Sequence, residues 1–268
     1  MANYKEEAII LRAHDLGEAD RIVTMLTAGR GVRRAVAKGV KRTGSKFGAR
    51  LEPFTHTHAV LHEGRNLDTV VQAETIRSHA AIREDFGKFL YGEAMLEMIE
   101  KSLHEGQKVS RVFDALRVTL EVLEGETSSP ALLLAAFELK VCALIGYRPH
   151  LDKCLHCGRD LGSEERAWLD LAGGGMSCRS CRGGSENLIP LSQEALRLIR
   201  DLLAASMAAI SRWEKDDRLT REALETCFRF SESFLERPLR SRRVVLRYLD
   251  GNLNAPRKNG GARFFSPR

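Results

Sequence analysis

Residues 128–149, SSPALLLAAFELKVCALIGYRP, have the pattern of one helix with both of its ends marked. Ser129 is a good N-cap, and Pro130 suits the first helical position, where its missing N–H costs no hydrogen bond. Gly146 can end the helix, and Pro149 prevents it from resuming. Because the helix is apolar on nearly all sides, we expect it to be buried at the centre of a helical domain.

The segments on both sides of this helix have apolar residues at helical spacing with polar residues between them. The pattern occurs over residues 82–123 and returns over 191–213 and 219–251. It predicts a helical domain in two parts, residues 79–150 and 188–250. Residues 251–268 are rich in Gly, Pro and Arg and have no periodicity, so we expect a flexible basic tail.

The first 78 residues favour strands instead. Short runs rich in β-branched and apolar residues are separated by turn signals such as Gly29-Arg30-Gly31 and Thr43-Gly44-Ser45. The runs are EEAIILRAH, ADRIVTMLT, GVRRAVAKGV, PFTHTHAVLHE and NLDTVVQAE. About five short strands at this spacing predict a small barrel or sandwich over residues 1–78.

A cysteine pattern, C-x2-C-x20-C-x2-C, interrupts the helical part. It is formed by Cys154, Cys157, Cys178 and Cys181. Four thiolates at this spacing are typical of a closed, structural zinc site, which predicts one zinc in a module over residues 151–187. Two redox pairs, two disulfides or a module without metal are the alternatives. His156 is expected to face solvent, and Cys142 and Cys227 to be buried thiols in helices.

Residues 30–50, RGVRRAVAKGVKRTGSKFGAR, concentrate positive charge. They hold eight Lys or Arg and no Asp or Glu, so they carry +8, whereas the whole chain carries only +6. Like charges at this density repel one another unless an anion lies alongside, and a nucleic-acid backbone is such an anion. The alternative is an idle, solvated charged surface. The candidate DNA contacts are Arg33, Arg34, Lys38, Lys41, Arg42, Ser45, Lys46 and Arg50.

A second basic cluster lies near the C-terminus. It consists of Arg237, Arg240, Arg242, Arg243 and Arg247. It either extends a DNA track or is a helix end whose arginines cover apolar surface with their aliphatic parts. The sequence leaves both interpretations open.

Other classes of protein find little support. No run approaches the roughly 18 apolar residues of a membrane span, and residues 8–11 are too short for a signal peptide, so a cytoplasmic protein without membrane contact is expected. No Walker-type loop, nucleophile elbow or H-E-x-x-H motif occurs, so no enzyme is expected.

Several pieces of the chain, in order, resemble the RecO family of bacterial DNA repair and recombination mediators. The resemblance is carried by AIILRAHDLGEADRIVTMLTAGRG (8–31), AVAKGVKRTGSKFGARLEPF (35–54), LLAAFELKVCALIGYRPHLDKCLHCG (133–158) and LRSRRVVLRYLDG (239–251). It implies an α+β protein with an N-terminal OB-fold β-barrel, a helical domain and an inserted four-cysteine zinc module.

The resemblance also implies a function. Such proteins bind single- and double-stranded DNA, anneal complementary strands, contact single-stranded-DNA-binding protein and act with RecR to load RecA. By position, Lys38, Lys41, Arg42, Ser45 and Lys46 match the family's basic loop and would contact phosphate. A cytoplasmic, nucleoid-associated location follows. The alternative is a zinc-stapled protein–protein adaptor with only incidental nucleic-acid affinity.

Overall fold

The N-terminal part of the protein is a closed five-stranded barrel. The computed structural model describes residues 2–105, 107, 109–162, 166–184 and 187–253. The barrel strands are β1 (Asn3–Leu16), β2 (Asp20–Thr27), β3 (Gly31–Ala37), β4 (His56–His62) and β5 (Asp68–Arg77). Their order is β1-β2-β3-β5-β4, with β4 paired back to β1 and with β3 and β5 parallel. This is the OB-fold topology, so the predicted fold class is confirmed.

Alternation along the strands gives the barrel a core of its own. Ala8 and Ile10 of β1, Val23 and Met25 of β2, and Ala35 of β3 point inward and are fully buried. Neighbouring positions on the same strands point outward, as the period of two requires. The barrel interior is therefore packed with side chains and has no space for a ligand.

The helical part is built around the helix predicted within residues 128–149. Its helices are α1 (Ala80–Glu84), α2 (Phe86–Ser102), α3 (Ser110–Glu124), α4 (Pro130–Leu144), α5 (Gln193–Ala204), α6 (Met207–Ile210), α7 (Asp217–Leu235) and α8 (Arg240–Leu249). The central helix, α4, packs against α2, α3, α5, α6 and α7. Among the helices described, none is both long and apolar enough to cross a bilayer.

The ends and the burial of α4 agree with the sequence pattern. The Ser129 hydroxyl accepts a hydrogen bond from the Leu132 amide, and Gly146 has a φ of 102°, which suits a glycine after a helix end. Residues 131–139 are all buried. They include Glu138, and burial raises the pKa of its carboxyl to about 8, so it is mostly neutral at pH 7.

A small three-stranded sheet follows α4 in the chain and holds the cysteines. Its strands are β6 (Arg166–Asp170), β7 (Gly175–Ser177) and β8 (Leu188–Ser192), in the order β7-β6-β8. Strand β8 runs directly into α5, so the sheet continues past residue 187 into the segment expected to begin the second helical part. The five-part domain division stays a prediction, and the predicted tail lies outside the described residues after position 253.

One side of the barrel is covered by the helices. Outward-facing Ile9, Leu26 and Phe54 join the same apolar core as the helical domain. Phe54 packs so closely on α2 that a Cβ at Gly92 would lie 2.7 Å from its ring. The covered side fixes the orientation of the barrel on the helices and leaves other parts of its surface open.

Candidate nucleic-acid interface and four-cysteine cluster

The basic segment forms β3 and the connection that follows it. Residues 38–50 run through turns into a short 3-10 helix, Gly48–Leu51, before β4. The connection is held against the β1–β2 turn, because the Lys41 amide donates to the Ala19 carbonyl at 3.0 Å and the Gly39 amide donates to the Asp20 carboxylate at 2.8 Å. Gly39 has a φ of 68°, which a glycine adopts without strain.

Arg33 closes one end of the barrel. Its Nε and Nη2 donate to Asp68 Oδ2 at 3.1 and 2.7 Å, and Tyr4 donates its hydroxyl to the same oxygen. Burial and the Asp68 carboxylate together raise the pKa of Tyr4 to about 12. Burial opposes ionisation of Asp68, but hydrogen bonds from Tyr4, the Gly64 amide and Arg33 hold its pKa below the usual value. Because Asp68 already balances the charge of Arg33, a phosphate would gain less from Arg33 than from an unpaired cation.

Two further cations of the segment have carboxylate partners within the barrel. Lys41 lies 2.9 Å from Asp15, which also binds Arg21, and Arg30 lies 3.5 Å from Glu6. Hydrogen bonds from Lys41 and then Arg21 lower the pKa of Asp15. The charge of +8 on this segment is therefore partly balanced, at Arg30, Arg33 and Lys41, because the fold brings in acids from other parts of the barrel.

Three cations remain unpaired. Arg34, Lys38 and Arg42 are exposed, and within the described part of the chain they make no ion pair or hydrogen bond through their side chains. Arg34 lies on β3, and the other two lie in the turns that follow. Their charge faces solvent and is available to an anionic partner.

The remaining candidates shape the connection. Lys46 Nζ donates to the Val71 carbonyl at 2.7 Å, and Arg50 donates to the Lys46 carbonyl. The Ser45 hydroxyl accepts from the Phe47 amide at 3.3 Å, and the Phe47 ring is buried in the barrel core. A neutral carbonyl does not cancel a charge, so Lys46 and Arg50 still add to the positive potential here.

The strand register identifies residues that the charge pattern missed. Thr24 of β2 pairs with Arg12 of β1 on one side and with Arg34 of β3 on the other. In the next row, His14, Ile22 and Val36 are aligned in the same way and are half-buried. Because paired positions share a face, a half-exposed strip lies beside the free cations. The alternation of residues along β1 could have indicated that His14 faces outward. It could not have shown which residues of β2 and β3 lie beside His14, because strand register cannot be inferred from alternation.

The C-terminal arginines do not act as one surface. Arg242 pairs with Glu232 at 2.6 Å and lies 3.7 Å from Glu225. Arg237 and Arg240 line a cavity of about 310 Å³ with Arg12 of the barrel, opposite the acidic residues Glu93, Glu97 and Glu100. Arg243 and Arg247 are exposed on α8.

The cysteines of the pattern converge. The Sγ atoms of Cys154, Cys157, Cys178 and Cys181 all lie within 4.8 Å of one another, and no disulfide joins them. Although burial opposes it, hydrogen bonds from the amides of Cys157 and Cys178 lower the pKa of Cys154 to about 6. The donor set fits a metal ion that prefers thiolate ligands. His156 is exposed, and Cys142 and Cys227 are buried, as predicted.

The fold and this site define an OB-fold protein with a helical domain and a four-cysteine module. Residues 1–79 match the family model "Recombination protein O N terminal", and residues 83–243 match "Recombination protein O C terminal". The chain belongs to the RecO family.

Similar curated proteins carry the name "DNA repair protein RecO". That of Nocardioides sp. (strain ATCC BAA-499 / JS614) is 39% identical over 247 residues, covering 91% of this chain and 99% of the relative. That of Thermobifida fusca (strain YX) is 39% identical over 249 residues, covering 92% and 100%. That of Bifidobacterium longum (strain DJO10A) is 34% identical over 250 residues, covering 91% and 99%. The names describe a DNA repair protein and no enzyme class.

Proposed function

We propose that the protein is a non-catalytic DNA-binding recombination mediator in DNA repair. It binds single- and double-stranded DNA, anneals complementary strands and helps RecR to load RecA on DNA coated by single-stranded-DNA-binding protein. The observation that carries the proposal is the group of exposed, unpaired cations Arg34, Lys38 and Arg42 at one end of an OB barrel. Membership of a family whose relatives are named for DNA repair supports it.

The free cations supply affinity that does not depend on sequence. Each phosphate that they neutralise releases condensed counterions, which favours binding most strongly at low salt. Lys46 and Arg50 add to the same potential, and the Ser45 hydroxyl holds the turn before Phe47. Arg33 and Lys41 keep their roles in the fold, because their charges are already balanced by Asp68 and Asp15.

The strip of His14, Ile22 and Val36 beside these cations gives the DNA a surface to lie on. Half-exposed apolar and imidazole groups can contact sugars and bases while the cations hold the backbone. Neutralising two strands in one place lowers their mutual repulsion, and this favours pairing without a catalytic step. Contacts to RecR and to single-stranded-DNA-binding protein belong to this proposal without assigned residues, as does association with the nucleoid.

The cysteine cluster has a structural role in this proposal. Four thiolates would fill the coordination shell of one zinc and leave no position for a substrate. Cys154 and Cys178 are buried against the helical core, so the bound ion would fix the module on that core. The ion would supply no chemistry on DNA.

The test compares two triple variants with the same change in charge. Arg34→Ala, Lys38→Ala and Arg42→Ala together remove the free cations. We expect the magnitude of the slope of log affinity against log salt to decrease by about 2 for single strands. The control replaces Arg212, Lys215 and Arg218 by Ala. These are exposed cations of the helical part with no side-chain partner among the described residues.

Binding is measured by fluorescence anisotropy over a salt series, and annealing with complementary labelled strands. We expect the barrel variant to lose both activities and the control to keep both. Equal behaviour of the two variants would contradict the proposed site. Absent annealing in the unmodified protein, with partner proteins still captured after nuclease treatment, would favour the adaptor function instead.

A further inference from the structure

The sheet of the cysteine module has one buried face and one face that is partly open. Ala167 and Leu169 of β6 point to the helical core and are buried, and so are Ile189 and Leu191 of β8. Because side chains alternate along a strand, Trp168 and Arg166 point to the opposite side. On that side Ser177 and Asp170 are buried, and Leu155 lies over the turn at Gly173 and Gly175. The open part of this side is therefore the part around Arg166, Trp168 and Pro190.

A stacked pair occupies the open face. The Arg182 guanidinium lies 4.8 Å from the centre of the Trp168 ring, and Arg182 follows directly after Cys181. Trp168 is half-buried, and the residue paired with it on β8 is the exposed Pro190. The indole N–H makes no hydrogen bond within the described residues. The pair is therefore a flat platform with an unused donor at its edge.

The charges on this face are unbalanced. Arg166 and Arg182 are exposed, and neither makes an ion pair with any residue that the structure describes. Asp170, the next residue on this face of β6, is 5% exposed and accepts hydrogen bonds from the Ala172 and Gly173 amides. Because Asp170 is buried, the charged groups that reach solvent on this face are the two guanidinium groups.

We propose that this face, defined by Arg166, Trp168 and Arg182, is a second binding site for single-stranded nucleic acid. An unstacked base lies against the Arg182–Trp168 pair, and Arg166 binds the neighbouring phosphate. Arginine planes and indole rings both stack with bases, and two unpaired guanidinium groups complement a phosphate chain. A duplex offers no free base faces, so the site selects single strands.

The site lies on the cysteine module, and the barrel cations lie on a separate domain. It goes beyond the barrel site, because its chemistry does not depend on Arg34, Lys38 or Arg42. Only its use in pairing rests on the proposed function. With two sites, one chain can hold two segments of single strand at the same time.

The chain provides its own reporter, because it contains only two tryptophans, Trp168 and Trp213. In the full-length Trp213→Phe protein, the emission comes from Trp168 alone. We expect a thymidine oligonucleotide to quench this emission in a saturable titration, whereas an abasic oligonucleotide of equal length leaves it unchanged. Quenching by neither, or by both equally, would overturn the stacked base.

Variants in the same background test the residues. Arg182→Ala is expected to raise the midpoint of the quenching titration about fivefold or more. Arg182→Lys keeps the positive charge but loses the planar guanidinium. We expect its midpoint, on a logarithmic scale, to lie closer to that of Arg182→Ala than to that of the parent. Arg166→Ala gives a smaller increase that disappears at high salt. Unchanged midpoints in all three would overturn the site.

The barrel triple variant separates this inference from the proposed function. In that protein with Trp213→Phe, we expect Trp168 quenching to persist while anisotropy shows the loss of barrel affinity. If quenching disappears with the barrel cations, Trp168 only reports on barrel binding and the second site is wrong. If quenching persists and the barrel variant still anneals, the proposed barrel function is wrong and the second site stands.

Discussion

The barrel and the cysteine module are both small β structures, but they are held together by different means. The barrel closes on itself and packs an interior of its own, so every strand has two neighbours. The module has a sheet of three short strands, and the apolar residues of its inner face belong to the core of the helical domain. A closed sheet with its own core can be stable without a ligand, whereas a small open sheet depends on an external constraint.

The polar groups of the barrel and of the cysteine module also differ in what they pair with. In the barrel, a cation and a carboxylate from different strands meet at one end, as in the Arg33–Asp68 pair. In the module, the polar groups that meet are the thiols of the cysteine cluster, and four thiolates would repel one another without a cation. A metal ion held by these four side chains would therefore stabilise the module in a way that the barrel does not share.

Metal removal is the strongest test of this difference. Cys154→Ser or chelation is expected to release one zinc per chain and to unfold the module locally, because structural zinc contributes on the order of 10 kcal/mol to small metal domains. Elemental analysis measures the zinc, and amide hydrogen exchange measures the module and the barrel separately. We expect protection to be lost in β6–β8 and kept in β1–β5.

The matched control for that experiment is Cys227→Ala, which removes a buried thiol outside the cluster. It leaves the zinc content unchanged. A zinc-free protein whose module stays fully protected would refute the difference between the two regions.

Breaking the barrel pair has the next largest effect. Asp68→Ala leaves the Arg33 guanidinium and the Tyr4 hydroxyl without their acceptor, and we expect it to cost about 2–3 kcal/mol of the free energy of unfolding. Urea denaturation at pH 7 measures this loss. A loss below about 0.5 kcal/mol would mean that the pair contributes little to closing the barrel.

The pair also predicts a pH dependence. Because Asp68 has a lowered pKa in the folded protein, its stabilisation is fully present above the pKa of an unfolded Asp, about 4. It is lost as the pH falls through the lower folded value. The stability difference between the parent and Asp68→Ala should therefore shrink below about pH 4, and a difference that stays constant to pH 2 would contradict the assignment.

The smallest expected effect separates a paired cation from a free one. Removing Lys41 and Asp15 together, as Lys41→Ala with Asp15→Asn, deletes a balanced pair and should leave the salt slope of DNA binding unchanged. Lys38→Ala deletes a free charge and should lower the magnitude of that slope by about 0.7 for single strands. An equal decrease in both proteins would show that Lys41 exchanges Asp15 for a phosphate in the complex.

Sequence patterns predicted the structure correctly wherever a feature depends only on neighbouring residues. The cap at Ser129 and the ending at Gly146 depend on neighbouring residues, and the structure has both. The cysteine spacing likewise brought the correct four side chains together, because each C-x2-C pair already presents two thiols to one point. Five strand-like runs predicted a small barrel or sandwich, although strand register could not be inferred from them.

The basic segment, residues 30–50, shows what local sequence patterns cannot predict. Arg33 and Arg34 are adjacent and chemically identical, but one closes the barrel and the other faces solvent. Alternation puts them on opposite sides, and only the barrel closure brings Asp68 to the inner one. Charge density identified the basic segment, but it could not separate the cations that have carboxylate partners from those that face solvent.

The amino-acid sequence by itself determined the helix positions, the β-rich barrel region, the metal-binding pattern and the concentration of positive charge, because propensity, capping and ligand spacing act over a few residues. The tertiary structure alone decided which cations are neutralised, which strand face stays open and which tryptophan is left beside an unpaired arginine. Those outcomes depend on pairs such as Arg33 with Asp68 and Lys41 with Asp15, which are far apart in the chain and meet only when the barrel folds.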